Sequence, residues 1–220
     1  MKLCTHNTMS YQTPKKWWMK LIAFTGKCQR VNYIGQYMLG ARGFDLRLFW
    51  DEKGELEFRH GILSYNADEI YNVLDFAQDN GVIVRVLLEL REFTKGNEQR
   101  NNDLKNKFKE FCTELEKKYP SIRFYGGRST GSWEILYEFK GGADLENEIS
   151  MYSSTTSLFG GKDSVWFRKL WLRMLDDWCP WLYAKLRNKK NIKEYSDMDD
   201  NCYLVVDFID IQYYKIIKNN

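Results

Sequence analysis

His6 and His60 are the only two histidines in the 220-residue chain, so any imidazole chemistry rests on one or both of them. Each stands where a short strand candidate ends, His6 after Lys2–Thr5 and His60 at the close of Glu55–His60. Further ionisable groups sit at comparable places. Asn7 follows His6, Asp45 and Arg47 lie two apart in FDLRLFW, Glu89 and Arg91 lie two apart around the end of VIVRVLLEL, and Asp207 ends YLVVD. Residues two apart on a strand share a face, so each of these pairs points one way. Two imidazoles, a guanidinium and supporting carboxylates suit phosphoryl chemistry. One imidazole removes the proton of an attacking hydroxyl, the other protonates the leaving oxygen, and the guanidinium neutralises the phosphate. An aspartate beside the base would fix its tautomer and stabilise the imidazolium. Plainer readings compete. A histidine at a strand end is commonly structural or solvated, Asp45 with Arg47 is equally an internal ion pair, and Glu89 with Arg91 reads first as a structural pair. Spacing alone leaves both sets open.

Positioning these groups requires a regular alternation of elements. Gln29–Leu39 carries Val31, Ile34, Met38 and Leu39 at helical spacing, with Gly40 as a stop. Phe44–Trp50 alternates apolar with charged residues as a strand does, Asp51–Gly54 reads as a turn, and Glu55–His60 as a second strand. Ala67–Gln78 is helical, with Asp68 and Glu69 in its first turn. Val82–Leu90 has the β-branched run of a buried parallel strand. Asn102–Lys118 is an amphipathic helix, and Ile122–Tyr125 and Trp133–Phe139 are strands. Ser164–Arg187 is helical with an interruption at Pro180, Tyr203–Ile209 is a late strand, and Gln212–Lys218 a closing helix. Strands alternating with helices predict an α/β protein with a parallel sheet, and with about seven or eight strands a distorted, compact TIM-type (β/α) barrel. No repeat or low-complexity linker divides the chain, so residues 1–220 form one expected domain.

Composition excludes several classes. Lys+Arg 33 against Asp+Glu 30 leaves a net charge of +3, too even for the footprint of a nucleic-acid binder. No apolar run approaches the ~18 residues of a membrane-spanning helix. The five cysteines, Cys4, Cys28, Cys112, Cys179 and Cys202, are scattered without a CxxC pair, which indicates neither a zinc site nor a disulfide framework. The first residues carry no secretory leader, so a cytoplasmic monomer is the expectation for the chain as written.

The run LCTHNTMSYQ, then GARGFDLRLFW, then GELEFRHG, resembles the X-region of phosphatidylinositol-specific phospholipases C, particularly the bacterial and X-domain-only members. LVVDFIDIQYYKIIKNN is similar to the last strand and helix of that family, while Gly96–Asn201 has no clear counterpart. The resemblance implies His6 as general base toward an inositol 2-hydroxyl, with Asp207 orienting it. Arg47 would bind the phosphate, His60 would serve as general acid toward the diacylglycerol oxygen, and Asp45 would support Arg47 or His60. Asn7, Glu89 and Arg91 are the expected substrate-side groups. The product would be a cyclic inositol phosphate. Arg47 stands where the calcium-dependent branch carries a ligand carboxylate, which implies no metal cofactor. Asn7 stands where bacterial members have aspartate, and Asn7, Asp45 and Glu89 form the alternative ligand set for Ca2+ or Mg2+. Bacterial relatives are commonly secreted and are longer than this chain.

Lys15-Lys16-Trp17-Trp18 follows the first strand. Paired indoles flanked by lysines suit transient contact with a membrane surface that presents the phospholipid substrate, and the alternative is a core tryptophan. The aromatic stretch Trp166–Tyr183 reads chiefly as a core helix. Two other functions use the same fold. One is metal-dependent cleavage of glycerophosphodiester or sphingolipid-type substrates, and the other is phosphoinositide binding without catalysis.

Overall fold

A computed structural model describes residues 2–90, 97–125, 134–140, 151–153, 179–194 and 203–210, together with Tyr213 and Lys215. The strands are β1 (Lys2–Thr5), β2 (Ala41–Trp50), β3 (Leu56–His60), β4 (Leu63–Asn66), β5 (Ile83–Glu89), β6 (Phe124–Tyr125), β7 (Glu134–Leu136), β8 (Met151–Ser153) and β9 (Tyr203–Val206). The helices are α1 (Trp17–Leu21), α2 (Tyr33–Met38), α3 (Ile70–Asp79), α4 (Glu98–Lys118) and α5 (Pro180–Glu194), with 3-10 turns at Thr8–Tyr11 and Ala23–Thr25. Among the described residues no helix is long and apolar enough to cross a membrane.

β8, β9, β1, β2, β5 and β6 pair in parallel as one continuous arc. β2 organises it. One edge of β2 pairs with β5 over Gly43–Leu48, while the other holds β1 at its start and antiparallel β3 over Leu48–Trp50. β1 and β3 therefore meet end to end on one edge, which brings the end of β1 toward the end of β3. Across β5, parallel β6 and antiparallel β7 share an edge in the same manner.

Two expectations are corrected here. The sheet is not all parallel, because the β2–β3–β4 meander and β7 run antiparallel. Nor is a closed barrel seen. Among the described residues the sheet is open, with β6 and β7 at one margin and β8 at the other. A short hairpin loop, here residues 51–55, costs less chain than a crossover, and Asp51 caps it by accepting from the Lys53 and Glu55 N–H groups. Helix α2 starts at Tyr33 rather than Gln29 because Asn32 caps it, accepting from the Gly35 N–H at 2.9 Å. Pro180 opens α5, as its missing N–H allows in a first turn. The predicted segment 164–178, and with it most of the Trp166–Tyr183 stretch, lies outside the described residues, as does Arg91.

The outer face of the arc is apolar. Phe44, Leu46 and Leu48 of β2 and Val84, Val86 and Leu88 of β5 are buried in one cluster with Val73, Leu74 and Ala77 of α3 and Leu104 and Phe108 of α4. The inner face is layered. Cys4, Ile83, Tyr125, Tyr203 and Val205 form an apolar floor. Gly43 makes that floor possible, since a Cβ there would meet Cys4 Cβ and Sγ at 3.0 Å. Above the floor comes a charged layer, and at the carboxyl ends of the strands come the histidines.

Candidate active site

Register explains the first pair. β1 and β9 run in parallel with Thr5 opposite Val206, so the next residues, His6 and Asp207, emerge side by side. His6 Nδ1 lies 2.7 Å from Asp207 Oδ1, and the His6 N–H donates to the Val206 carbonyl at 3.0 Å. A carboxylate on Nδ1 selects the tautomer protonated there and leaves Nε2 as the lone-pair nitrogen. Asp207 is held from behind by Asn188 of α5, whose amide donates to the Asp207 carbonyl at 2.6 Å. Gln29 spans the pair, donating to the His6 and Val206 carbonyls, each at 3.0 Å.

His60 arrives on β3 and faces His6 edge-on, with ring centroids 5.1 Å apart and planes at 87°. Its Nδ1 is 2.8 Å from the Gly26 carbonyl, an acceptor only, so Nδ1 carries the proton and Nε2 is again the lone-pair nitrogen. Gly61 follows in the left-handed region at φ 56°, where glycine bears no Cβ penalty, and its N–H donates to Glu89 Oε1 at 2.6 Å. This is the physical content of the His-Gly motif. Burial pulls the His60 imidazole down to about 4, with Glu89 opposing and His6 and Arg47 assisting, so the free protein holds it neutral at pH 7.

A consequence for stability follows. The unfolded chain binds the His60 proton near the ordinary histidine value of about 6.5, while the fold resists it until about pH 4. That contribution is fully present above about pH 6.5 and is lost as the pH falls toward 4. Urea unfolding is expected to show about 1–2 kcal/mol less stability at pH 5 than at pH 7. His60→Gln should remove most of that difference, and an equal loss in the variant would show that other groups cause it.

Beneath the histidines lies the charged layer. Arg47 Nε donates to Asp45 Oδ2 at 3.0 Å, and its Nη1 contacts Glu89 Oε2 and Glu134 Oε1, each at 3.1 Å. Arg85, opposite Asp45 in the β2–β5 register, donates to Asp45 Oδ1 at 3.2 Å. Burial alone would raise the Asp45 carboxyl, but Arg47 and Arg85 outweigh it and hold the group far below the usual carboxylate range. Glu89 is lowered likewise, with Arg47 and His60 overcoming burial. The guanidinium predicted to anchor phosphate is thus buried among Asp45, Glu89 and Glu134.

The alternative cation set does not assemble as an oxygen cage. Both oxygens of Asp45 and both of Glu89 are engaged by guanidinium or backbone N–H groups, and Arg47 sits between the two carboxylates. Asn7 is fully buried, with φ 42°, its N–H donating to Asp45 at 2.9 Å and its side-chain amide to the Arg59 carbonyl at 3.0 Å. It shapes the turn after β1 instead of lining a substrate surface, and Glu89 likewise faces the protein interior. Asparagine tolerates this left-handed conformation better than most side chains.

Several residues around the site escaped the sequence reading. Arg85 had a signal, a charge inside an apolar strand at period two from Glu89. Glu134 comes from the stretch without a family counterpart. Cys28, whose Sγ lies 3.7 Å from His60 Nδ1, had none, because only the fold brings it there.

No protein-family model and no curated protein matches the chain. Solved structures do. The phosphatidylinositol-specific phospholipase C from Listeria monocytogenes superposes with a TM-score of 0.56 at 17% identity, covering 100% of this chain and 93% of that one. The chain has the fold of a bacterial phosphatidylinositol-specific phospholipase C. A mutant of the Staphylococcus aureus phosphatidylinositol-specific phospholipase C aligns over 99% of this chain and 92% of its own, at 14% identity and a TM-score of 0.49. At such identity the likeness to the phospholipase C fold carries architecture, and what the site does has to be argued from its own side chains.

Proposed function

We propose that the protein is a phospholipase C-like phosphodiesterase that cleaves a lipid phosphodiester, phosphatidylinositol or a close relative, by base–acid catalysis. One observation carries this reading: an imidazole backed by a buried aspartate, His6 on Asp207, faces a second imidazole 5.1 Å away at the carboxyl ends of the strands. His6 Nε2 takes the proton of the inositol 2-hydroxyl as its oxygen bonds to phosphorus, and Asp207 stabilises the imidazolium that results. The bond to the diacylglycerol oxygen breaks, and that oxygen receives its proton from His60. His60 is neutral in the free protein, so it acquires this proton from solvent when the anionic phosphate settles beside it, which raises its basicity. Proton exchange with solvent then resets both rings. Arg47 supplies positive charge under the site and positions Asp45 and Glu89. No step requires a metal ion. Binding a head group alone would not call for an acid–base pair.

Phosphorus NMR of a water-soluble inositol phosphodiester incubated with the protein, with and without excess chelator, tests the reading. A cyclic inositol phosphate formed equally in both samples is the expected result. Complete loss under chelator, restored by Ca2+ or Mg2+, would replace it with the metal-dependent reaction. No turnover of any phosphodiester would leave a binding module.

The surface beside the site fits a lipid interface. Trp17, Leu21 and Phe24 are 74%, 69% and 62% exposed, and Trp18 is 38% exposed. Lys16 and Lys20 are exposed among them, whereas Lys15 is committed to buried Glu57 at 2.8 Å and is withdrawn from the basic set. Inserting indoles recovers apolar area that water otherwise wets. Replacing Trp17 and Trp18 together by alanine is expected to weaken binding to phosphatidylinositol vesicles at least tenfold, about 1.4 kcal/mol, without changing turnover of soluble substrate. Equal loss on both would assign the tryptophans to folding.

A further inference from the structure

Cys28 is not used by the reaction above, yet it completes a cluster with both histidines. One donor atom from each of His6, Cys28 and His60 lies within 4.8 Å of the others. Cys28 Sγ is 3.9 Å from His60 Nε2, the nitrogen left with a lone pair. A tetrahedral Zn2+ with thiolate at about 2.3 Å and imidazole at about 2.05 Å holds sulfur and nitrogen about 3.6 Å apart. The observed separation is about 0.3 Å longer, and Sγ lies equally near Nδ1 at 3.7 Å, so a turn of the thiol or the ring toward the Nε2 lone pair completes the geometry.

The surroundings match too. Imidazoles that bind metals almost always donate their other N–H to a carboxylate or a backbone carbonyl, which orients the ring and raises its basicity. His6 meets Asp207 in this way and His60 meets the Gly26 carbonyl. Cys28 is itself held in place, its N–H donating to Ser10 Oγ at 3.0 Å and its carbonyl accepting from the Phe208 N–H at 2.6 Å. The three donors come from separate segments, each braced by hydrogen bonds to the others. A thiolate with two imidazoles selects a borderline or soft divalent ion over Ca2+ or Mg2+.

We propose that His6 Nε2, His60 Nε2 and Cys28 Sγ bind Zn2+ with the fourth position open to water, and that the bound ion switches the phosphodiesterase off. Coordination releases the thiol proton to solvent and occupies both lone pairs that the reaction needs. The inhibitory half rests on the phosphodiesterase reading, and the binding half does not.

Isothermal titration of chelator-stripped full-length protein with Zn2+ alone tests the binding, with Co2+ absorption as a second readout. One ion per chain and a thiolate-to-cobalt charge-transfer band are expected. Cys28→Ser, with Cys28→Ala as a second variant in case the hydroxyl disturbs folding, should lose the band and at least about 100-fold in affinity. Both variants should keep the basal turnover of soluble substrate and lose its inhibition by Zn2+. Absent stoichiometric binding, or affinity unchanged in both variants, overturns the site. Stimulation of turnover by Zn2+ overturns the inhibitory role. A protein that binds the ion through Cys28 yet cleaves no phosphodiester upholds the metal site and refutes the phosphodiesterase reading.

Discussion

His6→Ala is expected to slow cleavage of a soluble inositol phosphodiester by about 10²–10⁴-fold, the range over which a positioned proton acceptor acts. The ring directly follows β1, its Nδ1 is fixed by a buried carboxylate 2.7 Å away, and it meets the second histidine edge to face with centroids 5.1 Å apart. His6 is partly exposed, with a side chain 14% accessible, so truncation leaves no large core cavity and the unfolding midpoint should move little. Asp207→Asn should fall between the two rates. The amide keeps the size of the carboxylate but offers no charge to the imidazolium and no single preferred tautomer. Measuring kcat and KM for wild type, His6→Ala and Asp207→Asn separates the roles: loss confined to kcat fits transition-state chemistry. Undiminished turnover in His6→Ala would remove it as the base.

Arg47→Met is expected to cost about 3–5 kcal/mol of stability, because it strands carboxylates that its guanidinium now joins. Glu89 and Glu134 stand directly opposite each other in the β5–β7 register, a like-charge pair bridged by Arg47 Nη1, which lies 3.1 Å from both. Asp45 would retain Arg85 at 3.2 Å and Glu134 would retain it at 3.9 Å, but both glutamates would lose the Arg47 guanidinium that bridges them. Burial combined with a neighbouring anion raises a carboxyl, so the folded variant should take up protons more readily than its unfolded chain. Its deficit should then shrink as the pH falls from 7 toward 5, the opposite direction to the His60 effect. Urea unfolding across that range reads both the size and the sign. An unfolding midpoint unmoved by Arg47→Met, with only KM raised, would make Arg47 a simple phosphate anchor.

The same charged layer shows what sequence can and cannot convey. Asp45 and Arg47 were legible as partners because period two is a local property of a strand, and they bond at 3.0 Å. β2 and β5 were legible for the same reason. The β3–β4 hairpin was only half legible: Leu63–Asn66 is four residues of mixed character, and its strand identity comes from pairing with β3. Closure into a barrel was inferred from alternation alone, and alternation does not say which strands remain at the margins. Within the site, His6, His60 and Asp207 stood out through scarce residue types in family-like motifs. Glu134 and Asn188 could not, because nothing local marks a residue whose partner lies across the sheet. Lys15 reads in sequence as a free basic group for a related reason, since its partner Glu57 lies on β3.

The bond between His6 and Asp207 joins positions 201 residues apart, and it exists only because β9 lies against β1. Loops of that length close late and slowly relative to local hairpins. During synthesis, the first strand therefore leaves the ribosome long before the strand that completes it, and the nascent chain carries its histidines without an orienting carboxylate. On the proposed mechanism, catalytic competence would be acquired at the end of folding rather than along the way. The appearance of turnover in a refolding experiment would accordingly report the docking of the last strand, a built-in clock for completion of the sheet.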